Sequence, residues 1–324
     1  MNILVTGGAG FIGSNIAETL LQEGHTVDIV DDLSSGIEEN IPKDAAFYKV
    51  DISSPEFKKI FTERKYDCIC HHAAQIDVRS SVQDPILDNR INVLGSIRTI
   101  QMCINYRIPR YIFASSGGAV YGEQKHFPAD EEHPTNPDSP YGIHKLAVEK
   151  YLHFYWKHYG LSYIALRYGN VYGPRQNPYG EAGVVAIFLN QILNGIRPTI
   201  YGDGTQTRDY LYISDAVKSN IQAIHSDVTG CFNIGTGKET DLNSIVRHLR
   251  ELTATNMDFE LAPPRKGEQK RSVLDIRKAG ELLGWEPEVS LEEGLSKTLH
   301  YFRTNGPGQK NEPKGRGSSN TRRW

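Results

Sequence analysis

Tyr141 and Lys145 stand four residues apart in "SPYGIHKLAVEKY" (139–151). On a helix, positions i and i+4 share one face, which would set an ammonium beside a phenol. A positive charge there stabilises the phenolate and lowers the tyrosine pKa toward neutrality. Such a pair can take a proton from an alcohol or sugar hydroxyl while hydride leaves the same carbon. The stretch "SSGGAVYG" (115–122) places two more hydroxyls beside two glycines. It reads either as a second proton-transfer element or as a tight turn after a buried strand.

A departing hydride needs an acceptor. "TGGAGFIG" (6–13) follows the first apolar run and opens the first helical one. It holds Gly7, Gly10 and Gly13 in GxxGxxG spacing and Gly8, Gly10 and Gly13 in GxGxxG spacing. Between a strand and a helix this pattern is specific for a dinucleotide. Glycines permit a tight turn and close approach of backbone to a pyrophosphate, and the helix start at Phe11 and Ile12 offers free N–H groups to it. The second apolar run ends at Asp31-Asp32, where a carboxylate would accept from the adenosine 2′-hydroxyl and repel a 2′-phosphate. No Lys or Arg follows before Lys43, so the expected cofactor is NAD rather than NADP. Asp51-Ile52 suit the adenine edge, with a strand-end cap as the alternative for Asp51.

These residues must be positioned by alternating strands and helices. Apolar runs "NILVTGG", "TVDIVDD", "AAFYKVDI", "YDCICHHAA", "RYIFASS" and "SYIALRYGNVYG" alternate with helical patterns at 11–23, 54–64, 85–105 and 141–159. That order predicts an α/β fold: a Rossmann-type doubly wound parallel sheet. Residues 1–170 are expected to form the NAD-binding domain, with some later elements returning to it. Residues 171–303 would form mainly a smaller, mixed substrate lobe, with helices at 184–195, 214–226, 241–252 and 292–302. The Gly- and Pro-rich polar tail, 304–324, lacks the apolar residues that offset ordering entropy and is expected to be disordered.

Bulk composition excludes other classes. A net charge of −3 over 324 residues gives no basic excess for nucleic acid. No apolar run approaches the roughly 20 residues of a membrane helix, and no leader is evident. Four cysteines suit reduced core residues in a cytoplasmic protein. His71-His72 is no metal site on its own, since adjacent strand residues face opposite ways.

Beyond the glycine loop and YxxxK, "HHAAQIDVRSSVQDP" (71–85), "INVLGS" (91–96), "SSGGAVYGE", "LRYGNVYGPRQ" (166–176), "IYGDGTQTRDYLYISD" (200–215) and "FNIGTG" (232–237) resemble the extended short-chain dehydrogenases/reductases over about residues 1–303. Within them the chain is most similar to the nucleotide-sugar epimerases, in particular the UDP-glucose 4-epimerases. The resemblance implies NAD-dependent C4 epimerisation of a UDP-hexose through a 4-keto intermediate. It adds Ala73, Ala74 and Asn92 to the cofactor site. It directs Asn170, Arg208 and Arg265 to the diphosphate, Glu268 to the uridine ribose and Ser272 to the sugar's 2-substituent. It also implies a homodimer through the 85–105 and 141–159 helices.

In many relatives a Ser or Thr lies three residues before the valine of "VYG"; here that residue is Gly117. Ser116 is expected to supply the hydroxyl instead. Related 4,6-dehydratases carry an Asp-Glu pair before "VYG", and related UDP-glucuronate decarboxylases a glutamate. Gly118 and Ala119 stand here, so elimination or C5 deprotonation has no evident base. Rival readings are a 4-epimerase of UDP-N-acetylhexosamine or UDP-glucuronate and, from another class, a non-catalytic NAD-binding protein. The intact Tyr141–Lys145 pair argues against the last.

Overall fold

The computed structural model describes residues 1–179, 183–264 and 269–306. Six strands, β1 (Asn2–Thr6), β2 (Thr26–Asp31), β3 (Ala46–Lys49), β4 (Cys68–His71), β5 (Arg110–Ser116) and β6 (Ser162–Tyr168), join Gly230–Ile234 in one sheet. Its order is β3, β2, β1, β4, β5, β6, then Gly230–Ile234, and every pairing is parallel. Parallel sheets are covered on both faces, and two apolar clusters do so here. Ile3, Val5, Cys70, Ile112 and Leu166 pack with helices Phe11–Gln22 and Ile213–His225. Leu4, Ile69, Tyr111, Phe113 and Ala165 pack on the other face, with helices Phe57–Glu63, Gly95–Tyr106 and Pro140–Tyr159. The order of strands reverses between β1 and β4, and ligands of open α/β sheets bind at the carboxyl ends of the strands beside such a switch.

Helix Pro140–Tyr159 begins with Pro140 in its first turn and Ser139 accepting from Gly142 N at 3.2 Å, and it ends at Gly160 with φ 73°. These are ordinary start and stop chemistry. The long helix expected over 85–105 is instead three segments: Pro85–Asn89, a π-helical turn Arg90–Leu94, and Gly95–Tyr106. The Ser96 hydroxyl donates to the Asn92 carbonyl at 2.5 Å, and the Asn92 side chain meets Gln75 in the loop after β4. Single π turns of this kind gather at functional sites.

The remaining strands form short pairs beyond the sheet's carboxyl edge. Asn170–Tyr172 pairs in parallel with Tyr210–Tyr212, Thr199–Tyr201 with Glu260–Ala262, and Thr207–Arg208 pairs antiparallel with Thr240–Asp241. All four cysteines are free and three are buried. Among the described residues, no helix is long and apolar enough to cross a membrane. The tail from 307 lies outside the described residues.

Candidate active site

The glycine loop closes tightly. Gly7 has φ 70°, and a Cβ on it would meet Ala73 N at 2.5 Å; one on Gly13 would meet Gly7 O at 2.3 Å. Ala73 N in turn points at Thr6 Oγ1, 3.4 Å away. Helix Phe11–Gln22 starts at Gly10 with no side-chain cap, so its first N–H groups face outward, as a pyrophosphate requires. Asp31 is buried at the end of β2, its oxygens accepting from Ala9 N at 3.0 Å and Leu33 N at 2.9 Å. It braces the loop, and a carboxylate bound this way still has lone pairs for a ribose hydroxyl. Burial raises its pKa against those bonds. Asp51 is exposed and accepts from Ser53 N at 2.7 Å, the geometry of a strand-end cap, while Ile52 is buried against Gly95. The donors, the tight glycine cradle and the β2 carboxylate fit NAD.

Across the switch point, Ser116 ends β5, and its hydroxyl bears on the Tyr141 phenol, opposing the effect of burial there. Lys145 Nζ does not reach that phenol. It donates to Ala114 O at 2.7 Å and sits 5.6 Å from the centroid of the Tyr141 ring. This corrects the expectation of a phenolate near neutrality in the protein alone. Burial pushes Tyr141 up to about 12, with the Ser116 hydroxyl opposing it and Asp88 adding to it. Burial pushes Lys145 down to about 8 against the pull of Asp88 and Glu149. The lysine ties the helix to β5, and a further positive charge is needed to bring the phenol down.

Gly117 is buried, with Leu274 filling the place of a side chain. Gly118 is open: a Cβ there would lie 3.8 Å from Asn170 Oδ1 and 4.0 Å from Ser116 Oγ. Ser116, Gly118 and Asn170 therefore border one space. Asn170 is exposed, and its N–H donates to Asp209 O at 2.7 Å. Arg208 is half-buried, with Nη1 on Thr207 O at 2.7 Å. Ser272 is buried two residues before Leu274. Arg265 and Glu268 lie outside the described residues.

Sequence reasoning missed several residues around this centre. Asp88 is buried beneath it, paired with His144 and accepting from Gln75 and Asn92. Its signal was the Asp88–Asn92 spacing of four in "DPILDNRINV". Glu149 is joined to Arg167 at 2.7 Å and accepts from Ser115 at 2.5 Å, which takes Ser115 out of the proton path. Asp209 accepts from Thr236 N, Gly237 N and Leu274 N and so ties two other segments to its own. Nothing in "TRDY" alone distinguishes that from a solvated acid.

A Rossmann sheet with a Ser–Tyr–Lys constellation at its switch point defines an NAD-linked enzyme acting on a hydroxyl-bearing carbon. The chain belongs to the NAD dependent epimerase/dehydratase family, whose model matches residues 3–235. It is 42% identical over 309 residues to a UDP-glucose 4-epimerase of Mycolicibacterium smegmatis, covering 94% of this chain and 99% of that protein. Its structure is similar to that of the Thermotoga maritima UDP-glucose 4-epimerase with UDP-glucose, with TM-score 0.93, 48% identity, and 94% and 99% of the two chains covered. It is also similar to the Thermus thermophilus UDP-glucose 4-epimerase complex with NAD, with TM-score 0.89, 42% identity, and again 94% and 99% coverage.

Proposed function

We propose that the protein interconverts UDP-glucose and UDP-galactose by inverting C4 through a transient 4-keto sugar. The observation that carries this reading is the Ser116 hydroxyl at the end of β5, which bears on the Tyr141 phenol and borders one space with Gly118 and Asn170, beside a Gly118-Ala119 pair that offers no carboxylate. Tyr141 takes the O4 proton, relayed through Ser116. Bound NAD⁺ supplies the hydride acceptor and, by its nicotinamide charge, the stabilisation that Tyr141 lacks in the protein alone. Lys145 holds the catalytic helix to β5 through Ala114 and stands by the phenolate. Asn170, Arg208 and Arg265 hold the diphosphate and Glu268 the uridine ribose, leaving the sugar free to turn and present its other face. Once hydride is returned to the opposite face of C4, Tyr141 gives the proton back to O4.

Ser272 is small and buried, and we read its size as favouring a 2-N-acetyl sugar as a second substrate. The four free cysteines suit a reducing compartment, the cytoplasm. The working form is a homodimer. Ile143, Tyr151 and Phe154 are exposed along one stripe of helix Pro140–Tyr159, and an exposed apolar stripe of this kind suits an interface.

The test is incubation with UDP-galactose, UDP-N-acetylgalactosamine and UDP-galacturonate separately, with catalytic NAD, resolving products by chromatography. The 4-epimer of UDP-galactose should form without net NADH. Release of NADH with a keto sugar, or no product from any of the three, would overturn the reading.

A further inference from the structure

Two histidines and a glutamate meet at the amino ends of the strands, a strand's length away from the cofactor cleft. Helix Phe11–Gln22 is stopped by Glu23. Gly24, with φ 82°, then turns the chain back so that His25 N donates to Leu20 O at 3.0 Å. This is an ordinary left-handed helix end. It brings Glu23 Oε2 to 3.8 Å from His25 Nε2 just before β2 begins at Thr26. His225 is the last residue of helix Ile213–His225, which covers the same face of the sheet. Its ring centroid lies 5.5 Å from that of His25, with the planes tilted by 36°. One donor atom from each of Glu23, His25 and His225 lies within 4.8 Å of the other two. Among the described residues no other three His, Cys, Asp or Glu side chains converge in this way.

Two imidazole nitrogens and one carboxylate oxygen are a ligand set of zinc and its first-row neighbours, whereas magnesium and calcium prefer oxygen alone. Bonds of about 2.0–2.2 Å in a tetrahedron hold donors about 3.3–3.6 Å apart. The observed spacing therefore has to close by about 1 Å. Glu23 and His225 are exposed and have the freedom to do so, while His25 is half-buried and is the fixed member. Its Nδ1 faces the Met1 amino group at 3.3 Å, which leaves Nε2, on the Glu23 side, for a metal. The electrostatics also suit a cation. Helices of 12 and 13 residues both end here, and the last carbonyls of a helix carry partial negative charge.

We propose that Glu23, His25 and His225 form a binding site for a first-row divalent cation of the zinc type, with the fourth position left to water. A metal there joins the ends of two helices that cover one face of the sheet. It stands apart from Ser116, Tyr141 and Lys145, which lie at and beyond the carboxyl end of β5, so the site is independent of the proposed epimerase reading.

The test is titration of the full chain, NAD-bound, without added histidines and freed of metal by dialysis against a chelator. Zn²⁺ is added at pH 7.5, above the ordinary imidazole range of about 6.5, and binding is followed by calorimetry. One Zn²⁺ should bind per chain with micromolar affinity, and Mg²⁺ should not. Glu23→Ala and His225→Ala each remove an exposed ligand, and circular dichroism checks that both fold. Each should weaken Zn²⁺ binding by at least the roughly 10–100-fold that loss of an outer-shell partner costs. Binding to the folded chain should also raise the thermal midpoint of the wild type, and His225→Ala should lose that rise. The chain has 11 histidines, so the variants carry the decision. No Zn²⁺ binding by the wild type, or binding unchanged in both variants, overturns the proposal. An equal rise in midpoint for the wild type and His225→Ala overturns it too, since the metal would then be held elsewhere.

Discussion

The two Cδ atoms of Leu274 occupy the place of a side chain on Gly117, 2.7 and 2.8 Å from where its Cβ would stand. Arg167 O closes the third side at 3.0 Å. The place of a side chain at residue 117 is therefore filled by Leu274, and Ser116 is the residue proposed to supply the hydroxyl. Gly117→Ser should cost about 1–3 kcal/mol by overpacking, read from urea unfolding, and should not restore activity to Ser116→Ala. A restored double variant would mean that the pocket re-forms around residue 117.

Ser116→Ala should lower kcat by about 10²–10³, within the range of a positioned proton-transfer group, with NAD content unchanged. Tyr141→Phe should lose at least as much. Parallel measurement of bound NAD and turnover separates a proton-relay loss from a folding defect. An unchanged kcat in Ser116→Ala would assign the transfer to Tyr141 alone.

The parallel sheet and the cofactor loop were legible because their signals are local. "TGGAGFIG" needs its glycines where Gly7 has positive φ and a Cβ on Gly13 would meet the Gly7 carbonyl, and the alternation of apolar runs with helical patterns implies parallel strands covered on both faces. The break at Arg90–Leu94 was not legible, since the helical period runs through it. What widens the turn is Ser96 and the distant Gln75. Asp88 escaped notice for a related reason: an acid on an amphipathic stretch reads as a solvated face until His144, 56 residues on, closes over it. Tyr141's ionisation was misjudged because i, i+4 spacing says which groups are neighbours but not that Lys145 spends a hydrogen bond on Ala114.

The exposed stripe of Ile143, Tyr151 and Phe154 predicts an assembly-level result. Charges placed there have no buried partner to disturb in the single chain, so Ile143→Glu with Phe154→Glu should leave the thermal midpoint of the fold near that of the wild type where dimerisation is weak and lower it where it is strong. In either case light scattering should report half the wild-type mass. An unchanged mass would place the interface elsewhere.

Lys145 also links stability to pH. Burial holds its folded pKa at about 8, against 10.5 as the ordinary value. Below pH 8 both the folded and unfolded chains carry the proton. Between 8 and 10.5 the unfolded chain binds it and the folded one releases it, so stability rises with pH across that window. Lys145→Met removes this dependence and the cost of burying the ammonium. In protein stripped of NAD the variant should be the more stable near neutrality, and its advantage should shrink by about 2 kcal/mol between about pH 7.5 and pH 9.5. Urea unfolding of both proteins at the two pH values measures the difference directly, and other titrating groups cancel in the comparison. A constant gap would mean that Lys145 keeps its proton in the folded state throughout, held there by the Asp88 and Glu149 carboxylates more firmly than its burial opposes. The ammonium, not the neutral amine, would then be the form that meets the cofactor at every working pH.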